Sequence, residues 1–151
     1  MVDHITPEAS REACLNKALE ALFFAFRAVI AKPDARLAGL GFSRVHHRIL
    51  YFVGRNPRLG VNELLRILGV SKQYLNRPLR QLMEKGHVSF VQDGQDRRVK
   101  RLSLTKNGQR LERELSGAQR MRFAKVFAKA GSKAEEAWRM VMKLLADPKF
   151  D

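Results

Sequence analysis

From Glu12 to Ala31 apolar residues recur at Leu15, Leu19, Leu22, Phe26 and Val29, alternating steps of four and three that line one face of an α-helix. Phe23 and Ile30 widen that stripe. Pro33 is expected to end the helix, because it brings no amide donor and its ring collides with the preceding turn, leaving Asp34 to Gly41 as a short helical turn or loop. Ser43 is placed to cap a second helix with Val45, Ile49, Leu50, Phe52 and Val53 apolar, stopping at Gly54 and Pro57. Leu59 reads as a single-residue strand contact.

Two short helices follow, separated by a tight turn. Gly60-Val61-Asn62-Glu63 is a helix start in which Glu63 can reach back to the cap, with Leu64, Leu65 and Leu68 as its buried face. Gly69-Val70-Ser71 makes the turn, Ser71 caps the next helix from Lys72 to Lys85, and Leu75, Leu79, Leu82 and Met83 form its inner face. Gly86 suits the left-handed position after its end.

Beyond Gly86 the period changes to two. Val88 and Phe90 alternate with Ser89 and Val91, and Leu102 and Leu104 flank Ser103, so a hairpin is expected around the polar tip Asp93-Gly94-Gln95-Asp96-Arg97-Arg98, with its turn at Asp93-Gly94. Thr105 caps a long helix to about Ala130. Ser132-Lys133-Ala134-Glu135 reads as a capping box opening a last helix with Trp138, Val141, Met142 and Leu145. No internal repeat or low-complexity tract interrupts this order.

Charge adds the functional hint. The chain carries 29 Lys and Arg against 15 Asp and Glu, net +14. Residues 1–40 are balanced, whereas the excess is concentrated between residues 41 and 101. That is the footprint of a polyanion-binding module within a less charged scaffold, although a basic soluble protein would share it. A membrane-surface role is disfavoured, because the basic residues gather around turns rather than along an amphipathic helix. No apolar run approaches the ~20 residues of a membrane span, Met1 to Ser10 does not read as a secretory signal, and the single Cys14 cannot form an internal disulfide. These features lead to the expectation of a cytoplasmic protein.

Helix, tight turn, helix and basic-tipped hairpin is the order of a winged helix-turn-helix. The expected fold is therefore mainly α with a small β-hairpin wing, a winged helix-turn-helix flanked by N- and C-terminal helices. The corresponding segments are residues 1–41 (N-terminal helix and linker), 42–105 (winged helix-turn-helix core) and 106–151 (C-terminal helices). Ser71, Lys72, Gln73, Tyr74, Asn76, Arg77 and Arg80 lie at the cap and on the polar outer face of the second helix of the pair. Asn and Gln can pair bidentately with adenine, and Arg with guanine, in the major groove of double-stranded DNA. Arg97 and Arg98 on the hairpin tip can reach the adjacent minor groove or phosphates. Pro78 sits inside that helix, where it removes the donor for the Tyr74 carbonyl and disfavours helical geometry at Arg77. It implies either a kink that re-aims Lys72 to Asn76 or a local distortion without functional role.

Residues from about Phe42 to Thr105 resemble the DNA-binding core of the MarR (multiple antibiotic resistance regulator) family. The resemblance runs through Val61-Asn62-Glu63-Leu64-Leu65, Leu68-Gly69-Val70-Ser71, Leu82-Met83-Glu84-Lys85-Gly86 and Asp96-Arg97-Arg98, ending at Leu102-Ser103-Leu104-Thr105. It implies a bacterial homodimeric regulator with a DNA-binding core at 42–105 and with the N-terminal helix and linker (1–41) and C-terminal helices (106–151) as dimerisation helices, in which Asp96 orients the wing and Arg98 is its DNA-contacting tip. The Leu15–Ile30 stripe would then join Val126, Phe127, Trp138 and Val141 in a core shared by two subunits. Two linked modules would read a palindromic operator with higher avidity than one.

Regulators of this kind often take small aromatic or carboxylate effectors between the dimerisation helices and the winged domain. The resemblance makes Phe23, Phe26, Arg27, His46, His47 and Tyr51 the candidate lining, with packing and solvent-facing roles as the alternative. His46 and His47 are adjacent and so face different ways, and His4 and His87 complete no ligand spacing, so no metal or cofactor is expected. Cys14 falls more than a turn before the place of the reactive cysteine in the family's hydroperoxide sensors, and Tyr51 and Tyr74 are the only tyrosines. It reads as a structural or surface thiol. The competing functional reading is a non-specific architectural DNA-binding protein held by phosphate neutralisation alone. The sequence carries no phosphate-binding glycine loop or nucleophile motif that would indicate an enzyme.

Overall fold

The computed structural model describes residues 7–151; Met1 to Thr6, which include His4 and most of the Met1–Ser10 segment expected not to be a secretory signal, lie outside the described residues. The elements are α1 (Pro7–Ala38), α2 (Arg44–Arg55), β1 (Leu59–Gly60), α3 (Val61–Leu68), α4 (Lys72–Glu84), β2 (Val88–Gln92), β3 (Lys100–Leu104), α5 (Lys106–Ala130) and α6 (Ser132–Leu145), followed by a short 3₁₀ turn at Pro148–Phe150. The architecture is mainly helical with a three-stranded antiparallel sheet in the order β1-β3-β2.

One apolar cluster holds the winged portion together. Ile49, Leu50 and Val53 of α2, Leu64 of α3, Leu75, Leu79 and Leu82 of α4, and Val88 and Leu102 of the sheet are all buried in it. Leu37 from the end of α1 and Leu111 and Leu115 from α5 belong to the same cluster. The core thus draws on residues from both sides of the boundaries expected at 41/42 and 105/106. Across the sheet Leu102 pairs with Leu59 on one side and Phe90 on the other, so β1 is a two-residue strand rather than a single contact. Arg58 just before it has a left-handed backbone (φ 63), within a turn in which the Leu59 amide donates to the Asn56 carbonyl at 3.1 Å.

The first correction concerns α1, which does not stop at Pro33 but continues to Ala38, with Pro33 and Leu37 buried. Proline leaves the carbonyl four residues earlier without its amide, and here that carbonyl, on Val29, accepts from the Gln119 side chain of α5 at 3.4 Å. A tertiary contact replaces the missing helical bond. A second correction is at α6: Ser132 is already helical, Gly131 (φ 96) precedes it, and no side chain caps the helix. Glu135 instead pairs with Arg139 one turn on. A third is the hairpin tip. Gly94 is not among the glycines of positive φ, so Asp93-Gly94 is no tight mirror-image turn. The loop spans residues 93–99 and is closed by the Asp93 amide donating to the Val99 carbonyl at 2.9 Å.

Several helix ends follow their sequence signals. The Ser71 hydroxyl accepts from the Tyr74 amide at 3.2 Å, and Glu63 reaches back to the Gly60 amide at 3.3 Å. At the end of α4, Gly86 (φ 76) lets its own amide reach the Met83 carbonyl at 3.0 Å and the His87 amide reach that of Leu82 at 2.8 Å. Thr105 ties three elements together: its hydroxyl donates to the Gly86 carbonyl at 2.6 Å, accepts from the Gly108 amide at 3.0 Å, and its amide donates to His87 at 3.1 Å. Gly108 is required there, because a Cβ would overlap the His87 carbonyl oxygen.

Candidate nucleic-acid interface

The alternation of buried and exposed residues along α4 follows from its position against α2 and β2. Leu75, Leu79 and Leu82 point inward, which leaves Lys72, Gln73, Tyr74, Asn76, Arg77 and Arg80 exposed on the opposite face, with Ser71 exposed at the cap. Two amide-bearing and three cationic side chains are thereby presented together. Pro78 is half-buried within an unbroken α4.

In the wing, carboxylates organise the backbone. Asp93 Oδ2 accepts from the amides of Gln95 (3.3 Å) and Asp96 (3.2 Å), and its Oδ1 lies 3.4 Å from Arg101 Nε. The Asp96 amide, with smaller help from Arg101, holds the Asp93 carboxyl below the usual carboxylate range. Asp96 Oδ1 accepts from both the amide (3.0 Å) and Nε (3.1 Å) of Arg98, while Oδ2 lies 3.3 Å from Nη2. The Arg98 side chain, 91% exposed, is therefore gripped along one edge of its guanidinium, through Nε and Nη2, and otherwise open to solvent. That guanidinium, then the Arg98 amide, likewise lowers the Asp96 carboxyl. Arg97 is exposed beside it. Arg101, which the sequence reading passed over, is partly buried between Asp93 and Glu63. Only its placement on β3 opposite Gly60 reveals that role, and the preceding two-residue strand was too short to fix this register from sequence.

The profile of the MarR family matches residues 40–99. The HTH-type transcriptional regulator PetP of Rhodobacter capsulatus is 43% identical over 134 residues, 89% of this chain and 81% of that protein. The chain belongs to the MarR family. It is a DNA-binding transcriptional regulator with the winged-helix fold of that family. Solved structures agree on the fold: Streptococcus pneumoniae FabT, crystallised in complex with DNA, superposes with a TM-score of 0.77 at 22% identity, covering 87% of this chain and 94% of that one. MarR itself gives a TM-score of 0.67 at 22% identity over 97% of this chain and 92% of that one. A Mycobacterium tuberculosis MarR family protein in complex with p-aminosalicylic acid gives 0.58 at 22% identity, covering 85% and 97%.

This MarR-family chain has a cavity of ≈ 210 Å³ between α1, α2 and α5. Of the six residues considered for an effector, Phe26, His47 and Tyr51 line it, together with the apolar Ile30, Pro33 and Phe52. Asp34, Arg44, Arg48 and Gln119, not singled out from sequence, add a polar rim. Phe23, Arg27 and His46 are not among the lining residues. Phe23 packs edge-on to Phe24 at 5.4 Å and Arg27 lies over both rings, whereas His46 stacks on Phe42 at 4.5 Å and meets Gln81 of α4 at 2.8 Å. His47 is on the other side of α2, 3.0 Å from Ser116 Oγ. Burial pushes both imidazoles below their usual range; the Glu112 and Asp34 carboxylates partly oppose this at His47. Among the described residues no group of His, Cys, Asp and Glu is arranged to hold a metal ion, and no helix is long and apolar enough to cross a membrane. Cys14 is exposed on α1.

Proposed function

We propose that the protein is a non-enzymatic, homodimeric regulator that recognises a palindromic operator and represses the promoter it covers. Residues 42–105 form the DNA-binding core, with residues 1–41 and 106–151 as dimerisation segments. Ser71, Lys72, Gln73, Tyr74, Asn76, Arg77 and Arg80 enter the major groove or grip its phosphates, while Asp96 aims Arg98, with Arg97, at the neighbouring minor groove or backbone. The observation that carries this reading is the combination of an exposed, amide-bearing α4 face with a wing arginine held by its own carboxylate. Charge alone would serve an architectural protein equally well; Gln73 and Asn76 add base-reading chemistry.

Dimerisation is supported by apolar surface left uncovered in one chain. Leu19 is 68% exposed on α1, and Met140 and Leu145 are 60% and 62% exposed on α6, which buries none of its residues. Phe123 and Phe127 hold Trp138 at 5.3 and 5.5 Å, fixing α6 on α5, where Met121 and Val126 are exposed as well. The cavity bounded by Phe26, His47 and Tyr51 suits a small aromatic or carboxylate effector whose binding releases DNA, since an apolar wall there meets Arg48 and the Arg44–Asp34 ion pair.

Sedimentation of the full chain at micromolar concentration tests the assembly, and enrichment of genomic fragments by the purified protein tests its specificity. A dimer that repeatedly captures the same fragments is expected. A monomer overturns the palindrome reading, and indiscriminate capture overturns the specific one.

A further inference from the structure

Arg97, Arg98, Lys100 and Arg101 lie along the wing, and by charge alone each is a phosphate ligand. Arg101 is built differently. Its side chain is 26% exposed, against 91% for Arg98. Nε lies 3.4 Å from Asp93 Oδ1 and Nη1 lies 3.6 Å from Glu63 Oε1. Its cross-strand partner on β1 is Gly60, where a Cβ would stand 3.3 Å from Nη1. The guanidinium therefore lies against a residue that has no side chain, at the N-cap of α3, a position that glycine itself favours.

The two carboxylates are themselves anchored. The second oxygen of Glu63 accepts from the Gly60 amide, at the first turn of α3. That of Asp93 accepts from Gln95 and Asp96, at the foot of the wing loop, and Asp96 then holds Arg98. A continuous set of polar contacts thus runs from the start of the helix-turn-helix through Arg101 to the wing tip.

We infer that Arg101 is a positioning residue that fixes the wing tip to the N-terminus of α3, and that Glu63 and Asp93 promote specific DNA binding despite their negative charge. The inference rests on the proposed role of Arg98 at DNA. It opposes simple electrostatics in sign: a carboxylate near a polyanion weakens binding unless it holds something in place.

The test uses the full-length dimer with two probes, a duplex selected by the wild-type protein from a random-sequence pool and an unselected duplex of the same length. Glu63→Gln keeps an oxygen for the Gly60 amide and removes the charge. It is expected to weaken binding of the selected duplex about two- to fivefold, the range of partly exposed ion pairs, without weakening the unselected one. Arg101→Met should do the same without changing the salt slope, Arg101→Lys should not restore binding, and Glu63→Gln combined with Arg101→Met should lose little more than either alone. Tighter binding by Glu63→Gln, or a salt slope reduced by about one in Arg101→Met, would make Arg101 a phosphate ligand and overturn the inference. Arg98→Ala separates the two levels: no effect on the selected duplex removes the wing reading itself, whereas a loss there with tighter Glu63→Gln binding removes only the role assigned to Arg101.

Discussion

The side-chain amide of Gln119 on α5 donates to the carbonyl of Val29 on α1, the carbonyl that Pro33 leaves without a helical partner. This contact joins the long N-terminal helix to the long C-terminal one beside the cavity that both Pro33 and Gln119 line. Gln119→Ala should lower stability by about 0.5–1 kcal/mol, the net worth of one hydrogen bond. In a Pro33→Ala background, where the amide at position 33 serves Val29, the same change should cost less. A double-mutant cycle by urea unfolding measures the difference, and equal losses in both backgrounds would detach Gln119 from the proline.

Gly108 lets α5 start directly against the His87 carbonyl. Although alanine is ordinarily the better helix former, Gly108→Ala should destabilise by about 1–3 kcal/mol, because the neighbour in the way is backbone rather than a pliable side chain. Denaturant unfolding decides this, since a gain in stability would mean that the α4–β2 turn can retreat at little cost.

His46, His47 and His87 all have imidazoles lowered from the usual range, in each case chiefly by burial. The folded chain holds them neutral, so below pH ~6.5 the unfolded chain binds more protons and stability falls as the pH drops. Tm should therefore decline from pH 7.5 to 5.5. Replacing His47 by Gln, which can still reach toward Ser116, should flatten that decline; an unchanged slope would exclude His47 as a contributor.

Pro78 lies inside α4 without ending it. Pro78→Ala restores an amide to the Tyr74 carbonyl and should raise stability by about 1–2 kcal/mol, less than the ~3 kcal/mol cost of an interior proline because the unfolded chain gains freedom. Duplex selection with this variant then separates the two roles considered for Pro78. A changed sequence preference marks a helix re-aimed by the proline, and an unchanged one leaves only a local distortion.

The features legible in sequence were those set by neighbours along the chain. Ser71, Glu63 and Gly86 act within four residues of the groups they satisfy, and the leucines of α3 and α4 declare their buried faces by period. What escaped depended on distant residues. Nothing near Pro33 announces that Gln119 will serve Val29. The hairpin tip looked like an Asp-Gly turn because the seven-position loop owes its shape to Asp93's carboxylate, whose other contact is Arg101. In the cavity, the choice of His46 failed to foresee that α2 turns it toward Gln81, while Asp34 lies on the part of α1 that continues past Pro33 and meets Arg44 at the start of α2.

Two winged modules are proposed to read one DNA sequence together, and footprinting a captured genomic fragment across a salt series distinguishes this from binding by charge alone. Two protected half-sites related by a palindrome are expected, about one helical turn apart, whose protection persists as salt rises while flanking protection fades. Uniform protection along the fragment that disappears steeply with salt would contradict it and leave phosphate neutralisation as the whole of the interaction.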